Sequence, residues 1–256
     1  DNLGVRLLKR STRSISLTED GDALYKQTSG TMDDLSRTVE SLRNKNGELR
    51  GLIRVTAPAD FPTPLLAKVV SEFNHDHPGV RFQIDLTNDP RNLVDDNIDV
   101  ALRLGFSNAL ESIEKRLLEV EWEFVVGNQW LEQNGLPNSL SEISEFISPV
   151  ASLRRFLEVN ILAGKALPEA KIEVDNHLLA RDLALSGYGV ALLPKGLCSD
   201  ALKAGYAQTV LPDQVLGRTH LNLLFPSRAD MVPRVRAFAE YLSGTLGDNK
   251  DNFSDD

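Results

Sequence analysis

The residues able to do chemistry are few: four histidines and one cysteine in 256 residues, with the cations and carboxylates any soluble chain carries. His75 and His77 form a His-x-His pair at a predicted helix end, but two apart on a helix they face different ways. No cysteine or second histidine pair completes a metal set, so no metal is expected. His177, beside Asn176 at a predicted helix start, could hydrogen-bond a ligand or act as a cap. His220 opens a strand and reads as structural. Cys198 lacks the neighbours that activate a thiol and reads as a small buried hydrophobe. There is no Gly-rich phosphate loop, no Gly-x-Ser-x-Gly elbow and no His-Glu-x-x-His. An enzyme built on these residues would lack visible machinery, and no cofactor is expected.

The cations are more suggestive. Arg6, Lys9, Arg10 and Arg13 decorate a predicted hairpin over residues 5 to 17, in which Val5, Leu7 and Leu8 and then Ile15 and Leu17 flank a polar turn. Cations at a hairpin tip suit phosphate or minor-groove contact; they also suit a solvated edge protected against aggregation. The formal net charge is -9. It is unevenly spread: residues 1 to 54 hold 10 Lys+Arg against 8 Asp+Glu, and the remainder 18 against 29. A positive head thus precedes an acidic body, and the whole-chain value does not exclude nucleic acid as a partner.

These groups need elements to position them. Thr18 is a good N-cap, and Glu19, Asp20 and Asp22 place negative charge in the first turn of the helix it opens. Along that helix Tyr25, Thr28, Met32, Leu35, Val39 and Leu42 recur at alternating spacings of three and four. That is a heptad seam on an otherwise polar helix, so a partner helix is the natural cover, with packing on its own domain as the alternative. Asn44, Asn46 and Gly47 read as the helix end and a hinge. Strands and helices then alternate: a strand at Leu52 to Thr56, a helix led by Pro64, a strand at Val80 to Leu86, a short helix through Leu93-Val94, and a strand at Ile98 to Leu104. Successive βαβ units imply parallel strands with a ligand crevice beyond their carboxyl ends. Those ends are Thr56 to Phe61, Thr87 to Asp89 and Arg103 to Gly105.

Further along, Leu117 to Val126 is β-rich, Asn128 to Asn134 helical, and Gly135-Leu136-Pro137 a plausible crossing into a second lobe. Ser139 could cap the next helix. Strand-like Phe146 to Ala151 and Lys171 to Val174 bracket a poorly patterned segment. A helix at Asn176 to Leu185, the strand Val190 to Pro194, further strands to Phe225 and a helix at Pro233 to Leu246 complete the pattern. Gly247 to Asp256 is an acidic tail expected to be disordered. The fold class is α/β. The lone cysteine and the lack of any apolar run near the ~18 residues needed to span a bilayer point to a cytoplasmic protein without membrane contact.

Leu3 to Gly21, Gly51-Leu52-Ile53-Arg54-Val55-Thr56-Ala57-Pro58, Asp99-Val100-Ala101-Leu102-Arg103-Leu104-Gly105 and Gly187-Tyr188-Gly189-Val190-Ala191-Leu192-Leu193-Pro194, in this order and spacing, resemble the LysR family of bacterial transcriptional regulators over nearly the whole chain. The resemblance implies a winged helix-turn-helix that binds promoter DNA as a homodimer or homotetramer, and a two-lobed, periplasmic-binding-protein-like (type 2) effector domain. It divides the chain into a wing remnant (1–17), a dimerising linker helix (18–47) and an effector domain (51–246). Within the last, lobe I is expected at about 51–136 and 226–246, and lobe II at about 137–225. The family's first two helices and nearly all of its recognition helix would precede Asp1. Pro58, Ala59, Asp60, Phe61, Thr87, Asn88, Arg103, Asn176 and His177 would line the effector pocket, and Arg6, Lys9, Arg10 and Arg13 would contact DNA. Helix N-terminal amides near Thr63 and the Arg103 guanidinium suit a carboxylate effector, although Asp60 opposes an anion and Arg103 could instead pair with Asp99. A stand-alone solute-binding protein would share the cleft without needing the basic hairpin.

Overall fold

The structure, a computed structural model, describes residues 4–10, 15–25, 27–28, 31–32, 35, 48–89, 91–105, 112–226 and 232–248. Two five-stranded sheets dominate, and the chain begins with a small hairpin and a helical segment. In the hairpin, β1 (Leu8–Arg10) pairs antiparallel with β2 (Ile15–Leu17), as the alternating apolar residues predict. Helix α1 opens at residues 19–25, and residues 27–28, 31–32 and 35 are also helical. Thr18 starts it as expected: its Oγ1 accepts from Gly21 N at 3.0 Å, and its hydroxyl donates to Arg6 O at 2.5 Å. One side chain therefore caps the helix and ties it to the hairpin. Gly21 is needed there, because a Cβ would lie 2.0 Å from Leu7 O. Tyr25, Met32 and Leu35 of the seam are 60%, 60% and 57% exposed. Val39, Leu42, Asn44, Asn46, Gly47, Arg13 and residues 249–256 lie outside the described residues.

The first large sheet has the order β4-β3-β5-β12-β6. Strand β3 (Arg50–Ala57) runs parallel to β4 (Gly79–Leu86) and β5 (Val100–Leu104), as the βαβ pattern requires. The antiparallel strands β6 (Ser112–Val120) and β12 (Thr219–Pro226) complete it. Helices α2 (Thr63–Asp76) and α7 (Pro233–Asp248) pack together on one face. Their contact is aromatic: Phe73 and Phe238 meet with ring centroids 5.1 Å apart, and Phe82 lies 4.9 Å from Phe238. Rings at these separations add to area burial. The second sheet has the order β11-β7-β10-β8-β9, built from β7 (Trp122–Gly127), β8 (Phe146–Pro149), β9 (Ala170–Val174), β10 (Val190–Pro194) and β11 (Ala207–Val210). Around it lie α3 (Asn128–Asn134), α4 (Ala151–Asn160), α5 (His177–Leu185) and α6 (Ser199–Lys203).

The structure corrects several expectations. The chain crosses between sheets at Glu121, not at Gly135-Leu136-Pro137, because β7 pairs with β10 and β11 and so carries α3 into the second lobe. It returns before Thr219, so β12 belongs to the first lobe and not, as expected, to the second. A continuous apolar stretch cannot reveal that its two halves join different sheets. Leu93-Val94 forms a turn and not a helix: Asn92 Oδ1 accepts from Val94 N and Asp95 N, and Asn97 at φ 53° ends the coil at once. Ser139 makes no capping bond, its hydroxyl facing Ser141 and Glu142 instead, and only the short 3-10 turn Leu140–Glu142 follows. The strand expected to reach Ala151 stops at Pro149, and the poorly patterned segment holds α4, which opens at Ala151.

Among the described residues no helix is long and apolar enough to cross a membrane. Phe238 is fully buried at the contact of α2, α7 and β4. Replacing it with alanine is expected to cost about 3–5 kcal/mol, read as a fall in the urea midpoint of far-UV circular dichroism.

Candidate functional site: the cleft between the sheets

The carboxyl ends of β3, β4 and β5 face the second lobe, and a cavity of about 700 Å³ lies between them. Turns, not regular structure, present its polar groups. After β3 the backbone turns at Pro58, with Phe61 N donating to Pro58 O at 3.0 Å, and places Asp60 and Phe61 in the wall ahead of α2. Pro62 and Pro64 set the entry to α2, which has no side-chain cap. Since proline lacks an N–H, the amide donors expected near Thr63 are fewer than at an ordinary helix start.

Of the nine residues expected to line an effector pocket, Pro58, Asp60, Phe61, Thr87, Asn88, Arg103 and His177 border this cavity. Ala59 and Asn176 do not; they hold the residues that do. Ala59 N donates to Asn88 Oδ1 at 3.0 Å, and Asn176 caps α5, its Oδ1 accepting from Leu179 N. The second lobe adds residues that sequence patterning missed: Ser152, Leu153 and Phe156 of α4, and Lys195 just after β10. Only the fold brings α4 to the cleft. Gly105 lets it approach: at φ +79°, a Cβ there would lie 2.6 Å from the Phe156 ring.

Two polar contacts clasp the lobes across the cleft. Asn88 Nδ2 donates to Asp175 O at 2.8 Å. Asp60 Oδ2 accepts from the His177 backbone N–H at 3.1 Å and also contacts Nδ1 of the same residue. A carboxylate facing that nitrogen requires Nδ1 to carry the hydrogen. Burial pushes the Asp60 carboxyl up, but the hydrogen bonds and charge of His177 outweigh it and hold Asp60 below its ordinary value. The negative charge that seemed to oppose an anion is thus already engaged.

Arg103 presents the opposite case. Its guanidinium donates to Leu102 O at 2.8 Å and Thr56 Oγ1 at 3.1 Å, both neutral, and the ion pair with Asp99 does not form. Asp99 Oδ2 instead accepts from Arg54 N at 2.8 Å. Burial, aided by the charge of Arg91 and opposed by that of Asp85, lowers the Arg103 pKa, yet an arginine stays charged. The cleft therefore holds a half-buried cation with no carboxylate partner among the described residues, beside the apolar side chains of Phe61, Leu118 and Phe156.

At the base of the cleft, Glu121 bonds Lys195 at 3.1 Å and Arg218 at 2.6 Å, so both inter-sheet crossings share one carboxylate. Among the described residues no group of three or more His, Cys, Asp or Glu is placed to hold a metal ion. The His77 ring packs at a tilt against Phe73, with centroids 4.7 Å apart. Cys198 is buried, and burial, reinforced by the charge of Glu123, pushes its thiol up to about 12.

Two outcomes follow from these surroundings. An aromatic disulfide reagent at mildly alkaline pH should leave Cys198 unmodified in the folded chain and label it in urea, because the thiolate is the reactive form. The Asp60 contact should contribute stability in full above the ordinary carboxyl value of 3.8 and lose it as pH falls through the lower folded value. Comparing urea unfolding of wild type and Asp60→Asn across that acid range checks the sign.

Comparison with known proteins agrees with this architecture. Residues 46–247 match the model of the LysR substrate binding domain. The HTH-type transcriptional regulator CrgA of Neisseria meningitidis is 25% identical over 255 residues, covering 97% of this chain and 85% of that one. PtxR of Pseudomonas aeruginosa, another HTH-type transcriptional regulator, is 28% identical over 254 residues, covering 96% and 80%. Among solved structures, CrgA superposes with a TM-score of 0.69 at 23% identity, over 96% of this chain and 85% of that one. Full-length AphB of Vibrio cholerae, a virulence activator, gives 0.68 at 21%, over 95% and 85%. The relatives are named as regulators of transcription and not as enzymes. With its family match covering most of the chain and a clasped two-sheet cleft behind a basic hairpin, this chain belongs to the LysR family of transcriptional regulators and carries that family's effector-binding domain.

Proposed function

We propose that the cleft binds a small carboxylate effector and that its occupancy changes how the protein holds promoter DNA. The observation that carries this reading is Arg103, a half-buried guanidinium with only neutral hydrogen-bond partners among the described residues, in the wall of a cavity large enough for a metabolite. A bound carboxylate would give it a charge-assisted bidentate partner. Pro58, Asp60, Phe61, Thr87, Asn88 and His177 line the same site, with Ala59 and Asn176 holding them in place.

In this proposal, signalling runs through the clasp. A ligand that seats between the lobes binds their alternative angles with different affinity, which is what shifts the equilibrium between them. The helix starting at α1 then carries the change to the hairpin, since Thr18 bonds both. Tyr25, Thr28, Met32, Leu35, Val39 and Leu42 would form the seam between two copies of the chain, in a homodimer or as part of a homotetramer. Arg6, Lys9, Arg10 and Arg13 would make the phosphate or minor-groove contacts that set register, adding salt-dependent affinity without reading sequence. The working compartment would be the cytoplasm.

A panel of small carboxylates screened by differential scanning fluorimetry should contain members that raise the melting temperature of the wild-type chain. Arg103→Ala and Asn88→Ala should abolish those shifts, and unchanged shifts would remove both residues from the site. For the seam, Leu35→Lys combined with Val39→Lys should lower the apparent mass on size-exclusion chromatography with light scattering; an unaltered mass would place that face against its own domain.

A further inference from the structure

Lys68, Arg103 and Lys195 all border the cleft, and they are not equally committed. Lys195 bonds Glu121 at 3.1 Å. Arg103 donates to a carbonyl and a hydroxyl. Lys68 is exposed and makes no hydrogen bond or ion pair among the described residues. Its place follows from the helical period. Pro64 and Leu65 stand four and three residues before it in α2, so they share a face with it, and all of them border the cavity. Leu66, Val69 and Phe73 take the buried face against the sheet. The helix that builds the core of the first lobe thus also offers a free ammonium to the cleft. Lys68 lies about 7.5 Å along the axis from Thr63, whereas Arg103 comes from the carboxyl end of β5.

The negative groups of the wall are placed elsewhere. Asp60 is engaged by His177 through the backbone N–H and Nδ1. Asp175 is exposed beside the clasp, where its backbone carbonyl accepts from Asn88 Nδ2. Glu121, which holds Lys195, also bonds Arg218 at 2.6 Å, so one carboxylate serves both cations. Between the charged groups the wall is apolar, with Leu65, Leu118, Val120 and Phe156. Arg103 and Lys68 also differ in what they ask of a ligand. A guanidinium engages both oxygens of one carboxylate in a fixed fork, while an ammonium is a point charge on a flexible four-carbon stem. With one carboxylate on Arg103, Lys68 is left to attract a second anion, at a distance its stem can adjust.

We propose that Lys68 is a specificity-determining residue, and that the effector is a dicarboxylate with an apolar body, one carboxylate on Arg103 and the other on Lys68. This rests on the cleft being the effector site and names the chemical class that site selects. Lys195, committed to Glu121, adds positive field without holding the ligand. Arg103 supplies affinity for any carboxylate that fits, and Lys68 separates those with a second charge from those without.

The test titrates the full chain by isothermal calorimetry with the straight-chain dicarboxylates from succinate to suberate, each beside its own monoamide. The amide keeps the shape and the hydrogen bonding and removes one charge. The quantity read is the ratio of affinities between the tightest dicarboxylate and its monoamide. In wild type the ratio should be about fivefold, the upper range for an ion pair that keeps contact with water. Lys68→Met, an exposed change that keeps most of the stem, should bring the ratio near one. Arg103→Gln should weaken both ligands, and Lys195→Gln should leave the ratio as in wild type. A ratio near one at every chain length in wild type, or an unchanged ratio in Lys68→Met, overturns the role of Lys68 while leaving a monocarboxylate site in place. Loss of the preference in Lys195→Gln moves the second carboxylate to Lys195 and overturns the assignment. Tighter binding of 2-aminoadipate than of adipate brings Asp175 into the site and overturns the unsubstituted dicarboxylate class. Failure of every acid to bind at tens of millimolar concentration overturns the carboxylate reading itself and this inference with it.

Discussion

A buried hydrogen bond, from Trp122 Nε1 to Thr219 Oγ1 at 3.1 Å, joins the two places where the chain passes between its sheets. Trp122 begins β7 on the way out, and Thr219 begins β12 on the way back. Among the described residues the chain passes between the sheets at these two places, so the junction sets how the lobes meet across the cleft. The Glu121 carboxylate reinforces it from outside through Lys195 and Arg218. These outer ion pairs are partly exposed and so weak individually, whereas the Trp122–Thr219 bond lies out of water, where losing a partner is costly. The junction thus has a dry centre and a solvated rim.

The cleft that this junction supports is electrostatically asymmetric. Both signs of charge line it, but the acidic and basic groups are not equivalent. Asp60 stays ionised, its Oδ2 engaged by His177 through the backbone N–H and Nδ1, and burial does not lift its carboxyl back to the ordinary range against them. Arg103 meets only a carbonyl and a hydroxyl. A half-buried guanidinium whose hydrogen bonds all go to neutral atoms carries a desolvation cost that no carboxylate hydrogen bond offsets. The carboxylate that clasps the lobes and the guanidinium that bonds only neutral atoms are thus different residues.

At the other end of the chain, one threonine ties two elements together. Thr18 caps α1 and bonds the hairpin backbone, and Gly21 permits contact too close for any side chain. The seam residues Tyr25, Met32 and Leu35 stay exposed within the single chain, so the apolar stripe is not consumed by intramolecular packing at those positions.

Much of this was legible before any coordinates because it is set locally. The N-cap at Thr18, the alternating strand β4 and the parallel pairing of β3 with β4 and β5 follow from side-chain chemistry and hydrophobic period, which act over a few residues. The strand-end rule likewise picked out Asp60, Asn88 and Arg103. What escaped were features set by distant partners: the sheet change at Glu121 within one apolar stretch, the placement of α4 against Gly105, and the partner of each charged group in the cleft. Sequence left open whether Arg103 faces Asp99 and what Asp60 faces across the cleft. Tertiary structure decided both, because a charge's partner depends on which strands lie side by side and on how much water remains between them, and neither quantity is encoded within a few residues of the charge.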